Sequence, residues 1–163
     1  MAQTSSETTT GQNRPYVLLS IGSHALLLPQ SEVCTLASVQ DIRLGDQGAH
    51  GVVGWLAFAG RPWPVYCLDE ALHPLPHIPP GQRICALVRL NQGYFGLVCA
   101  HVTMLQGAAV HIRPVPAAMA TPDSPLRGLI WQANSVGLVS TAAALGALLG
   151  VSEAVAPTVR PRC

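Results

Sequence analysis

The chain has no lysine. All nine of its basic residues are arginine, they stand against eight carboxylates, and charged residues fill only 10% of its 163 positions. The resulting net charge of +1 supplies no positive field for a phosphate backbone, which argues against nucleic acid as a partner. Without lysine the phosphate loop G-x-x-x-x-G-K-[ST] cannot be written at all. Typical soluble domains carry about 25% charge. Charge this sparse leaves much of the surface neutral, the kind of surface that other proteins cover.

Reactive groups are scarce in the same way. Five cysteines, Cys34, Cys67, Cys85, Cys99 and Cys163, form no C-x-x-C pair and are odd in number, a pattern that reads as reduced thiols in a cytoplasmic protein. No base stands beside any of them, and Cys67 is followed by Asp69 and Glu70, whose charge would raise a thiol pKa. A thiol enzyme built on Cys67 is the weakest of the functional readings. The six histidines, His24, His50, His73, His77, His101 and His111, contain no H-E-x-x-H, and Pro74 and Pro76 keep His73 and His77 off a common helix face. No metal or cofactor is expected. The first residues lack the positive start and apolar stretch of a secretory signal. The uncharged run from Gly128 to Ser152 is broken by Gln132, Asn134 and Ser135, and its apolar part falls short of the roughly 20 residues needed to cross a bilayer.

Hydrophobic residues, at 49%, are arranged mostly as short strands. Residues 1–14 and 151–163 read as polar or proline-containing tails, which leaves about 135 residues for a fold. YVLLSI (16–21) and HALLLP (24–29) flank Gly22-Ser23 as a hairpin, and VCTLASV (33–39) follows as a third strand. Three glycines in 41–51 predict a loop. GVVGWLAF (51–58) meets a turn at Gly60-Arg61-Pro62 and returns as WPVYCL (63–68), with a short helical turn at 68–73. Four prolines in PLPHIPPG (74–81) mark an extended connector and the best internal boundary. Beyond it the pattern repeats in outline: RICALVRL (83–90), YFGLVCAHVTML (94–105), LRGLIWQA (126–133) and VGLVS (136–140), closed by a helix at 141–150 with Gly150 as its cap. Strands of this length with glycine and proline punctuation indicate a mainly β fold of barrel type, as two small barrels side by side.

The stretch 54–68 is apolar on both faces: Trp55, Ala57 and Ala59 alternate with Leu56 and Phe58. Such a strand is either buried on both sides or offers one side to a partner. In its register of Gly54, Gly60, Pro64 and hydrophobic positions, this stretch resembles the strand-turn-strand of CheW-like domains, the adaptor modules of bacterial chemosensory arrays. Residues 16–33, 83–102 and 126–149 resemble, in order, the opening hairpin, the later hairpin and the closing hairpin with its helix. The polar family positions are replaced by Ala57, Ala59, Cys67 and Ala100, as in a divergent relative such as the accessory CheW-like proteins of type IV pili systems.

The resemblance implies two five-stranded SH3-like barrels packed side by side, with short helices including a C-terminal one, and no catalysis. It implies an adaptor bridging a CheA-type histidine kinase regulatory domain and methyl-accepting chemoreceptors or related CheW-like proteins, with no direct membrane insertion and with twitching motility as one output. Carried over residue by residue, it makes Val33, Leu36, Leu56, Phe58, Gly60 and Arg61 the partner-facing candidates. Trp55 and Trp63 stand equally as contact or core residues. The alternative is a small barrel holding an apolar ligand among Trp55, Trp63 and Tyr66.

Overall fold

The computed structural model describes residues 14–44, 51–107, 110–132 and 135–151. The predicted tails, apart from Arg14 and Val151, lie outside these residues, as does most of the 41–51 loop. Strands β1 (Tyr16–Ile21) and β2 (His24–Pro29) form the expected hairpin, with Ile21 opposite His24. Pro29 ends β2, and a single 3-10 turn at Gln30–Glu32 leads into β3 (Val33–Ser38). Then come β4 (Val52–Phe58), β5 (Arg61–Tyr66), β6 (Ile84–Leu90), β7 (Gly93–Cys99), β8 (His101–Leu105), β9 (Gly128–Gln132), β10 (Ser135–Val139) and helix α1 (Ala142–Leu149).

Among the described residues ten strands make two five-stranded sheets, in the orders β8-β1-β2-β10-β9 and β3-β6-β7-β5-β4. The two orders are the same order twice. Each sheet has an antiparallel hairpin at its centre (β1–β2 or β6–β7), one edge strand on its first member, and a second hairpin (β10–β9 or β5–β4) joined in parallel to its other member. The described strands therefore form two five-strand repeats, β1–β5 and β6–β10. Neither repeat forms a sheet alone: the first sheet takes β1–β2 from one and β8–β10 from the other, and the second sheet does the converse.

The closed SH3-like barrels expected from the resemblance are not formed. Among the described residues no ladder joins β3 to β4 or β8 to β9, so each sheet stays open. The outer edge of β4 is engaged by Arg43, whose N–H donates to Trp55 O at 2.8 Å and whose carbonyl accepts from Trp55 N at 2.9 Å. Arg113 does the same to Leu129 on β9, at 2.7 and 2.8 Å. Each approaching segment thus takes hydrogen bonds that barrel closure would need.

Continuous apolar strands follow from this layering, because both faces of the central strands are covered. Leu19, Leu26, Val88, Phe95 and Leu97 point into a shared core between the sheets, which Leu145 and Leu149 of α1 join. Their alternate neighbours point the other way, Leu18 and Leu27 into a small core with Ile130 and Val139, and Leu87 and Val98 into one with Leu56 and Val65. Thr141 caps α1, its hydroxyl accepting from Ala144 N at 3.1 Å. Glu32 Oε2 accepts from Ala142 N at 2.8 Å across 110 residues of sequence, tying the β2–β3 connection to the helix start. Gly150, at φ +66°, ends the helix as read from the sequence.

Two local expectations are corrected. Residues 94–105 are two strands in different sheets, parted at Ala100, whose N–H donates to Ser20 O at 2.9 Å. Residues 68–73 form no helix, since the Asp69 carboxylate accepts from both Ala71 N and His73 N at 2.9 Å and holds Leu72 at φ +63° in a tight turn.

Candidate functional site

Residues Ala59 and Gly60 form the two-residue turn between β4 and β5, at φ +52° and +77°. Positive φ at both positions is the geometry whose twist matches a right-handed hairpin. It holds Phe58 opposite Arg61. The rings beneath fix the tip: Phe58 and Trp63 both stand edge-on to Tyr94, at 5.2 Å and 5.0 Å, and Trp63 Nε1 donates to Phe58 O at 2.9 Å. Gly60 and Arg61 project into solvent, with nothing within 4 Å of where a Gly60 side chain would begin. Alanine in this left-handed region is strained by roughly 1–2 kcal/mol. Ala59→Asn is therefore expected to stabilise the protein by about 1 kcal/mol, read as a rise in the thermal midpoint.

The six predicted partner-facing residues do not share one surface. Phe58, Gly60 and Arg61 meet at the tip. Leu36 is 48% exposed, but it lies on β3, at the opposite edge of the sheet from β4. Val33 is half-buried against the shared core. Leu56 is only 4% exposed, inside the core of its own sheet. The rings suggested for an apolar ligand also part company, since Trp63 packs with Tyr94 in the sheet's own core while Trp55 and Tyr66 face the shared one.

Cysteine chemistry is suppressed by burial. Cys67, Cys85 and Cys99 are fully buried free thiols. Desolvation pushes Cys67 up to about 11, and Cys85 and Cys99 up to about 12. Cys67 Sγ sits 3.2 Å from Gln82 Oε1, to which it donates. Below these values all three remain protonated and poor nucleophiles. We expect an aromatic disulfide reagent at pH 8 to leave them untouched in the folded protein and to titrate them once the chain is denatured. Cys34, expected as a reduced core thiol, is half-buried and disulfide-bonded.

Two acids brace turns, and the first of them also ties the two sheets together. Glu70, in the turn after β5, accepts from the backbone N–H of Ser23 at 2.9 Å and from its hydroxyl, and lies 3.7 Å from His24 Nε2. The Ser23 hydroxyl bond, above all, lowers the Glu70 pKa; the His73 N–H does the same for Asp69. Their contribution to stability is present at neutral pH and is lost as the pH falls through these lowered values.

A second surface went unread in the sequence. An open groove of about 610 Å³ runs beside the β9–β10 hairpin, lined by Leu72, Leu126, Leu129, Trp131, Val136 and Leu138, with Met119 at its edge. Trp131 is 65% exposed. The signal was available in 128–132: Leu129 and Trp131 alternate with Ile130, so both faces of an edge strand are apolar, with Ile130 buried, Leu129 half-buried and Trp131 exposed. Among the described residues no group of three His, Cys, Asp or Glu side chains could hold a metal, and no helix is long and apolar enough to cross a membrane.

Neither a protein-family model nor a curated protein sequence matches the chain. Among solved structures, the scaffolding protein TtCheW from Thermoanaerobacter tengcongensis is similar with a TM-score of 0.61 and 15% identity, over 78% of this chain and 88% of that one. Two interleaved five-stranded sheets with a C-terminal helix, superposing on a CheW scaffold across nearly its whole length, give this chain a CheW-like fold.

Proposed function

We propose that this chain is a non-catalytic, cytoplasmic adaptor of a chemosensory array. It binds the regulatory domain of a CheA-type histidine kinase and links it to a methyl-accepting chemoreceptor or to a related CheW-like protein. The reading is carried by the β4–β5 tip: a rigid turn on an aromatic base that holds Arg61 in solvent, on the fold of a scaffolding protein. A solvated arginine flanked by apolar surface is the residue type that interfaces favour. The alanines at 57, 59 and 100 and the cysteine at 67 fit a specialised branch, with type IV pili and twitching motility as its output.

The test is calorimetry against the regulatory domain of the kinase encoded in the same genome, and against the cytoplasmic hairpins of its receptors. Arg61→Glu should weaken kinase binding at least tenfold, about 1.4 kcal/mol, with the thermal midpoint unchanged. No measurable affinity for any of these partners would overturn the proposal. Loss of twitching on deletion, restored by the wild type but not by Arg61→Glu, would support the pilus output.

A further inference from the structure

We propose that a second copy of this chain is a partner, engaged by reciprocal exchange of the two five-strand repeats about the connector 74–81. The ladders between repeats are β1–β8 and β2–β10 in one sheet, and β3–β6 and β5–β7 in the other. Whatever β1–β5 offers to β6–β10 of its own chain, it offers identically to β6–β10 of a second copy. Exchange therefore builds two complete units in which every strand pairing and the shared core are preserved, and only the connector changes course.

The connector is suited to that change. At one end Leu75 N donates to Cys67 O at 2.7 Å; at the other, Gln82 accepts from Cys67 Sγ. Residues 76–81 between these anchors are largely exposed, and Gly81, at φ +91°, has nothing within 4 Å of its missing side chain. Pro74, Pro76, Pro79 and Pro80 bias this segment toward extended backbone. That bias opposes folding back within one chain and favours running straight to another. A net charge of +1 opposes association very little.

Separating the repeats dismantles both sheets, so exchange proceeds between unfolded chains, and the product separates slowly once folded. An exchanged dimer carries two β4–β5 tips on one body, which makes the adaptor bivalent.

The experiment refolds a mixture of unlabelled and ¹⁵N-labelled full-length chains from denaturant, with the Cys34 disulfide kept reduced, at about 10 μM and at about 1 mM, where mass action favours the dimer. Several-fold more dimer is expected at the higher concentration, persisting for hours after dilution. Repeating this with chains carrying a protease site between His77 and Ile78, the dimer is cut and weighed by native mass spectrometry. Units combining one heavy and one light repeat establish exchange. Only all-heavy and all-light units, a dimer that dissociates promptly on dilution, or monomer at both concentrations would overturn it. Pro76→Gly, Pro79→Gly and Pro80→Gly together should lower the wild-type dimer fraction several-fold, with an unchanged circular dichroism spectrum.

Discussion

Leu56→Asp is expected to cost at least about 3 kcal/mol, because it removes a packed side chain and places a carboxylate in an apolar core. Leu56 lies among Ile42, Val53, Val65, Leu87 and Tyr94. Against a total stability of about 5–15 kcal/mol, the variant should be largely unfolded at 37 °C or melt well below the wild type. Leu36→Asp, at an exposed position of the opposite edge strand, should stay within about 0.5 kcal/mol of the wild type. Thermal unfolding followed by circular dichroism measures both. A Leu56→Asp protein with the wild-type midpoint would show that this side chain does not pack inside, and would return it to the partner-facing set.

The second large effect comes in a pair. Gly54 and Gly128 occupy equivalent places on β4 and β9, each beneath an Ile-Arg dipeptide that crosses the strand edge. A β-carbon on Gly54 would lie 2.5 Å from Ile42 Cγ2 and 2.8 Å from Arg43 O. On Gly128 it would collide with Ile112 Cγ2 and come within 3.1 Å of Arg113 O. Neither carbonyl can withdraw without breaking the edge bonds to Trp55 or Leu129. Gly54→Val and Gly128→Val should each lose about 2–3 kcal/mol, measurable by urea titration. The losses should add in the double variant, because the two sites lie in different sheets. A tolerated valine at either place would mean that the Ile-Arg segment there does not bind the strand edge.

Local features of the fold were legible because local chemistry sets them. Gly22-Ser23 fixed the first hairpin to the residue, the connector prolines marked the midpoint of the repeat, and Thr141 and Gly150 bracket the helix. What depends on distant pairing was not legible. Ala100 sits between two apolar runs with no glycine or proline to announce that the chain changes sheets there; the bond to Ser20 decides it. Barrel closure failed for the same reason, since Arg43 and Arg113 reach their strand edges from outside the strand pattern. At the site, the turn chemistry located Phe58, Gly60 and Arg61 together, but burial separated Leu56 from them. Alternation alone could not tell that both apolar faces of β4 are covered. Trp131 escaped notice because its strand reads as core throughout, whereas Ile130 is buried and Trp131 is exposed.

The interleaving of the repeats also constrains how the molecule is made. β1 and β2 are synthesised well before β8, β9 and β10, the strands that complete their sheet. A nascent chain stopped at the connector exposes the apolar faces of five strands with neither sheet finished, so folding waits on β6–β10 and is slow, as non-local pairing demands. During that interval the cell's chaperones are its natural company.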